Sequence, residues 1–111
     1  MTKYGSFPGT RPRRLRTTPV MRRMVAETRL HPADLILPAF VREGVSEPVP
    51  ITAMPGVVQH TRDSLKKAAA EAVAAGISGI MLFGVPEEEK KDALGTPGTD
   101  PDGILQVPIR D

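Results

Sequence analysis

Gly79-Ile80-Met81-Leu82-Phe83-Gly84-Val85-Pro86 carries five large apolar residues in its first seven positions, with no polar alternation. An unbroken apolar run of this length, closed by proline, reads as a strand buried on both faces, the kind found in parallel sheets covered by helices. Upstream, Leu65, Ala68, Ala69, Ala72 and Val73 fall at helical spacing as one stripe, while Lys66, Lys67 and Glu71 lie on other sides. Thr61 is a good cap for that helix, and Gly76 suits the left-handed residue that ends it. A second apolar run, Leu35-Ile36-Leu37-Pro38-Ala39-Phe40-Val41, precedes the helix. Strand, helix, strand is the grammar of an α/β fold, and parallel strands joined through a helix form a βαβ unit. Pro38 is the discordant residue, because proline cannot donate to a ladder and favours edges or bulges.

Outward from this unit the chain is less regular. Residues 42–60 pass through Gly44, Pro48, Pro50, Pro55 and Gly56, with Val49 to Ile51 and Val57-Val58 able to pair as a small hairpin. After Pro86 a polar loop, Glu87-Glu88-Glu89-Lys90-Lys91-Asp92, leads into Gly95, Pro97, Gly98, Pro101 and Gly103. It leaves the C-terminal end of the strand, where α/β proteins keep their chemistry. From Ile104 a helix-like apolar pattern begins, with Pro108 inside it. Two parallel strands and their helices do not cover both faces of a sheet, so the sequence reads as the opening third of a larger barrel.

The 111 residues suit one small domain, with 12 prolines and 10 glycines implying a large share of loop. Their charge is split. Residues 1–29 hold eight basic residues and one acid, whereas residues 30–111 hold seven basic and twelve acidic residues. A basic arm over residues 1–29 is therefore expected ahead of a mildly acidic body over 30–111. Gly5, Pro8, Gly9 and Pro12 make the first part extended. Thr18-Pro19 then starts a helix, with Val20, Met21, Met24 and Val25 on one face, ending before His31-Pro32. That apolar face is expected to pack on the barrel or on a neighbouring subunit.

There is no cysteine, which excludes disulfides and thiolate ligation within these residues. No apolar run approaches membrane-spanning length and no apolar core follows the basic N-terminus, so the expected compartment is the cytoplasm, with no membrane. His31 and His60 have no neighbour at metal-ligand spacing and read as turn or surface histidines. Glu87-Glu88-Glu89 reads as a solvated segment, and Asp100-Pro101-Asp102-Gly103 as a turn before a helix rather than a calcium loop. The glycines near Gly95 match neither dinucleotide nor phosphate-loop spacing. Arg11-Pro12-Arg13-Arg14-Leu15-Arg16 could meet a polyanion, but lacks interleaved aromatics, so nucleic acid is not the favoured partner. Lys66, Lys67, Lys90 and Lys91 lie on polar faces or in a charged loop, which is no place for a Schiff-base amine. No catalytic residue and no metal ligand is assigned.

Taken in order, Arg11-Pro12-Arg13-Arg14-Leu15-Arg16, Leu35-Ile36-Leu37-Pro38-Ala39-Phe40-Val41, Met54-Pro55-Gly56-Val57, Leu82-Phe83-Gly84-Val85-Pro86 and the loop with Lys91-Asp92, Gly95-Thr96 and Asp100-Pro101-Asp102-Gly103-Ile104-Leu105-Gln106 resemble the N-terminal part of porphobilinogen synthase (δ-aminolevulinic acid dehydratase). The resemblance implies an α/β fold, the arm and first βαβ part of a TIM (β/α)8 barrel, with the arm wrapping a neighbour in a homo-oligomer. It implies a lyase that condenses two 5-aminolevulinate molecules to porphobilinogen with loss of water, in tetrapyrrole and haem synthesis. The family uses two Schiff-base lysines, and many members use zinc or magnesium. These groups come from later strands, so the 111 residues alone are expected to be inactive. By position Phe83 matches a substrate-pocket residue, although a barrel-core phenylalanine would satisfy the same pattern. Pro108 falls where the second barrel helix should continue, either in a first turn or as a break. The alternative is a truncated, non-catalytic module acting through its basic arm, by insertion into oligomers or by binding a polyanion.

Overall fold

The computed structural model describes residues 5, 7–11 and 13–111. Residues 1–4, Ser6 and Pro12, all within the expected extended arm, lie outside them. The chain divides into two compact units, residues 1–30 and 31–111.

In the first unit, a single turn over Arg14–Arg16 precedes helix α1 (Pro19–Met24). Thr18 caps it by accepting the Met21 N–H at 3.1 Å, and Pro19 sits at the first helical position. The helix is shorter than the sequence suggests. It stops at Met24, with Val25 already outside helical geometry. Short helices persist mainly by burying a face, and Val20 and Met24 are exposed. The first turn also holds no acid to meet its dipole. Arg29 closes the end by donating to the Met24 carbonyl.

The second unit is built on one four-stranded sheet of β1 (Ile36–Arg42), β2 (Val49–Pro50), β3 (Val58–His60) and β4 (Gly79–Val85), in the order β2-β3-β1-β4. Strands β1 (Ile36–Arg42) and β4 (Gly79–Val85) run parallel in register over seven residues, from Ile36 opposite Gly79 to Arg42 opposite Val85. Helix α2 (Arg62–Ala74) joins them, completing the expected βαβ unit. It begins at a capping box in which Thr61 accepts from the Ser64 N–H and Ser64 accepts from the Thr61 N–H. It ends at Gly76, whose φ of 81° is left-handed.

The hairpin forms as β2 (Val49–Pro50) against β3 (Val58–His60). Its second strand also lies parallel to the end of β1, Phe40 opposite Gln59 and Val41 opposite His60. That pairing explains how Pro38 is tolerated. Around Pro38, β1 is paired only with β4 among the described residues, so its missing donor faces no demand from β3.

The core lies on the helix-covered face of the sheet. Val41 is 0% exposed, and Ala39 and Leu65 are buried with it, flanked by Ile80, Leu82 and Ile104. Leu65 and Ala72 of α2 are buried as the helical stripe requires, but Val73 turns out to solvent. Burial of β4 on both faces is not observed. Ile80 and Leu82 are half-buried, whereas Met81 and Phe83 are 51% and 43% exposed. Alternation puts them on the opposite face, with Ile36, Pro38 and Phe40 of β1.

After β4 the loop returns to helix α3 (Gln106–Arg110). Pro108 is the third residue of α3, where a backbone N–H has no intrahelical partner anyway, so it does not break the helix. Ile104 and Leu105 come so close to β4 that a Cβ on Gly84 would stand 3.1 Å from the Leu105 Cβ. Glycine is what permits that approach.

Candidate functional site

The two parallel strands end together, and their C-terminal edge carries the chemistry that this unit offers. Phe40 and Phe83 are direct register partners on the open face, and their rings stack with centroids 5.2 Å apart. Two residues further along each strand come Arg42 and Val85. The Arg42 guanidinium donates to the Gln59 side-chain oxygen at 3.0 Å, bridging β1 to β3.

Beyond the strand ends, Glu43 reaches across to the following loop. Its carboxylate accepts from the Lys90 ammonium at 2.6 Å and from the Glu87 N–H at 3.3 Å. The Lys90 hydrogen bond is the main reason the Glu43 carboxyl is held below its ordinary pKa, and Glu43 in turn raises that of Lys90. Between these groups lies a cavity of about 440 Å³ lined by Arg42, Glu43, Gln59, Val85 and residues 86–89.

Phe83 is delivered to this edge by β4 register, partly exposed and stacked. The lysines stand differently. A Schiff-base nucleophile must be neutral, and the ion pair with Glu43 favours the charged form of Lys90. Lys91 pairs with Glu88, and Lys66 lies 3.7 Å from Asp111.

The histidines sit in local hydrogen-bond networks. His31 accepts the Ala33 N–H through Nδ1 at the start of a short turn, Pro32–Asp34, whose Asp34 carboxylate accepts the His31 N–H. His60 ends β3 with Nδ1 3.0 Å from the Ser64 hydroxyl of the α2 capping box. Asp100 accepts the Asp102 N–H in a turn before α3. Among the described residues no three His, Asp or Glu side chains converge to hold a metal ion. The zinc or magnesium implied by the resemblance therefore finds no fitting donor set among the described residues. In the arm, Arg11 lies over the Phe7 ring, 5.1 Å from its centroid. Phe7 stands four residues upstream of Arg11 and, as the sequence reading has it, no aromatic is interleaved within the cluster itself.

Sequence reasoning missed Glu43 and its loop contacts. The pairing spans 47 residues, and neither residue belongs to a recognisable motif.

Parallel strands joined through a helix, with an aromatic pair and polar groups at their C-terminal edge, define an α/β scaffold with its candidate site where such folds place theirs. The sequence profile of the delta-aminolevulinic acid dehydratase family matches residues 9–111, and the chain belongs to that family. The delta-aminolevulinic acid dehydratase of Streptomyces coelicolor is 88% identical over 111 residues, covering 100% of this chain and 34% of the relative. That of Mycobacterium tuberculosis is 64% identical over 106 residues, covering 96% and 32%. The crystal structure of delta-aminolevulinic acid dehydratase (porphobilinogen synthase) from Toxoplasma gondii ME49, in complex with the reaction product porphobilinogen, matches with a TM-score of 0.83. The identity is 36%, over 90% of this chain and 28% of that one. The fold is thus part of a TIM barrel. The chain spans about a third of the length of the curated relatives it matches.

Proposed function

We propose that this chain is the N-terminal portion of a porphobilinogen synthase, a lyase that condenses two 5-aminolevulinate molecules to porphobilinogen with loss of water. The observation that carries this reading is the 88% identity to the Streptomyces coelicolor dehydratase along all 111 residues. Within that enzyme the chain supplies the opening strands, and Phe83 lines the substrate pocket. Its ring sits at the catalytic edge on the face away from the helices, which supports the assignment. Schiff-base amines and the zinc or magnesium of the family come from segments outside these residues. Residues 1–29 act as an arm on a neighbouring subunit of a homo-oligomer. Their excess of basic residues and the exposed Val20 and Met24 of α1 favour that use. In the described residues no helix is long and apolar enough to cross a membrane, and the cytoplasm is the proposed compartment.

The test is a chimera in which residues 1–111 replace the matching segment of the Streptomyces coelicolor dehydratase. It is expected to form porphobilinogen from 5-aminolevulinate, whereas the 111-residue polypeptide alone is expected to form none. A chimera that assembles like its parent yet makes no product overturns the reading.

A further inference from the structure

Glu43 stands just past the end of β1, where its N–H donates to the Val85 carbonyl at 2.9 Å and extends the β1–β4 ladder by one bond. Its side chain then holds both ends of one turn. One carboxylate oxygen accepts from the Glu87 N–H, where the turn begins, and the other from Lys90, where it ends. The turn itself closes through the Lys90 N–H to the Glu87 carbonyl, 3.0 Å. Lys90 also lies 3.4 Å from the Glu87 carboxylate, so the cation is shared.

The next residue fits the same arrangement. Gly44 has φ of 71°, and a Cβ there would overlap the Glu87 carboxylate. The Glu87 side chain of the loop that follows β4 thus lies directly against the end of β1. That loop forms one wall of the 440 Å³ cavity, whose other wall carries Arg42 and Gln59.

We propose that Glu43 is a positioning residue: its carboxylate holds the turn at residues 87–90 against the end of β1, and so fixes one wall of the cavity at the edge where Phe83 is delivered. This rests on the reading of the chain as part of a porphobilinogen synthase. The residue does not touch reacting atoms. It acts by keeping that wall in one shape, so its loss is expected to weaken substrate capture more than turnover.

Four variants of the chimera test it: Glu43→Ala, Glu43→Gln, Lys90→Met, and Glu43→Gln with Lys90→Met. Glu43→Ala is expected to raise KM for 5-aminolevulinate about two- to fivefold, the scale of a solvent-accessible ion pair, with kcat little changed. Glu43→Gln keeps an acceptor for the Glu87 N–H and should raise KM less. The double variant should be no worse than its worse single variant, because both remove one interaction. Hydrogen exchange supplies a readout independent of turnover. The Glu87 amide should lose protection in Glu43→Ala and keep it in Glu43→Gln. Unchanged KM and unchanged exchange in Glu43→Ala, or strictly additive effects in the double variant, overturn the proposal. An unsubstituted chimera without activity counts against the synthase reading instead, and the exchange data then decide the role of Glu43 by themselves.

Discussion

The rings of Phe40 and Phe83 stack with centroids 5.2 Å apart and planes 24° from parallel, from directly opposed positions of two parallel strands. Offset aromatic pairs contribute about 0.5–1.5 kcal/mol beyond their burial. The stack therefore fixes the ring of Phe83 while leaving 43% of the residue exposed. A fixed, uncovered ring is suited to face a substrate. Met81, on the same open face, is 51% exposed, so kinetics rather than exposure separate a substrate contact from a packing role. In the chimera, Phe83→Ala is expected to raise KM for 5-aminolevulinate several-fold, with Phe83→Leu less affected. Steady-state kinetics alongside thermal unfolding separates the roles. A lowered Tm with KM unchanged would mean that Phe83 only packs.

Gly44 and Gly84 are expected to reject alanine for different reasons. At Gly44 the left-handed φ of 71° costs an L-residue roughly 1–2 kcal/mol, and the new Cβ would also displace Glu87. At Gly84 the backbone is an ordinary strand, but the Cβ would press on Leu105 at 3.1 Å and Ile104 at 3.3 Å. Overpacking of that kind costs about 1–3 kcal/mol. Denaturant unfolding of the two chimera variants checks both. Gly44→Ala should also lower protection of the Glu87 amide, whereas Gly84→Ala should leave it unchanged.

Thr61→Ala is expected to destabilise the second unit by about 1 kcal/mol, the usual cost of a lost N-cap. Its hydroxyl accepts the Ser64 N–H at 3.1 Å, and the Ser64 hydroxyl also lies 3.0 Å from the His60 ring. The substitution removes the cap bond and leaves in place the His60–Ser64 contact that joins β3 to α2. Amide exchange in the first turn of α2 should rise while the C-terminal turn, closed at Gly76, is unaffected.

How far the sequence alone reaches differs between the scaffold and its site. The βαβ unit was legible because local signals agree: a continuous apolar strand, a 3.6-residue stripe, a capping threonine and a terminal glycine. The length of α1 was not, since it depends on what covers Val20 and Met24 rather than on propensity. The place of β3 beside β1 was equally hidden, because three residues of strand carry too little pattern to name a partner. At the site, Phe83 could be nominated from the resemblance, but its partner Phe40 emerges only from register. The Glu43–Lys90 contact is a product of tertiary structure, made where two strand ends happen to meet.

The loop after β4 has a second organising carboxylate, and it yields a prediction in pH. Asp92 accepts from the Thr96 hydroxyl, from the Thr96 N–H at 2.9 Å and from the Leu94 N–H at 3.1 Å. These donors, the Thr96 hydroxyl first, hold its carboxyl below the ordinary value of 3.8. A pKa lowered on folding stabilises the ordered loop above that ordinary value, and the stabilisation is lost as pH falls through the folded value. Exchange of the Thr96 amide, corrected for its intrinsic pH dependence, should therefore accelerate only in the acid limb, below about the reference carboxylate pKa. Asp92→Asn retains an acceptor without charge, so its corrected exchange should be faster than in the parent above that limb and flat across it. An acid limb of equal size in Asp92→Asn would show that another group drives the transition and that Asp92 does not order this loop.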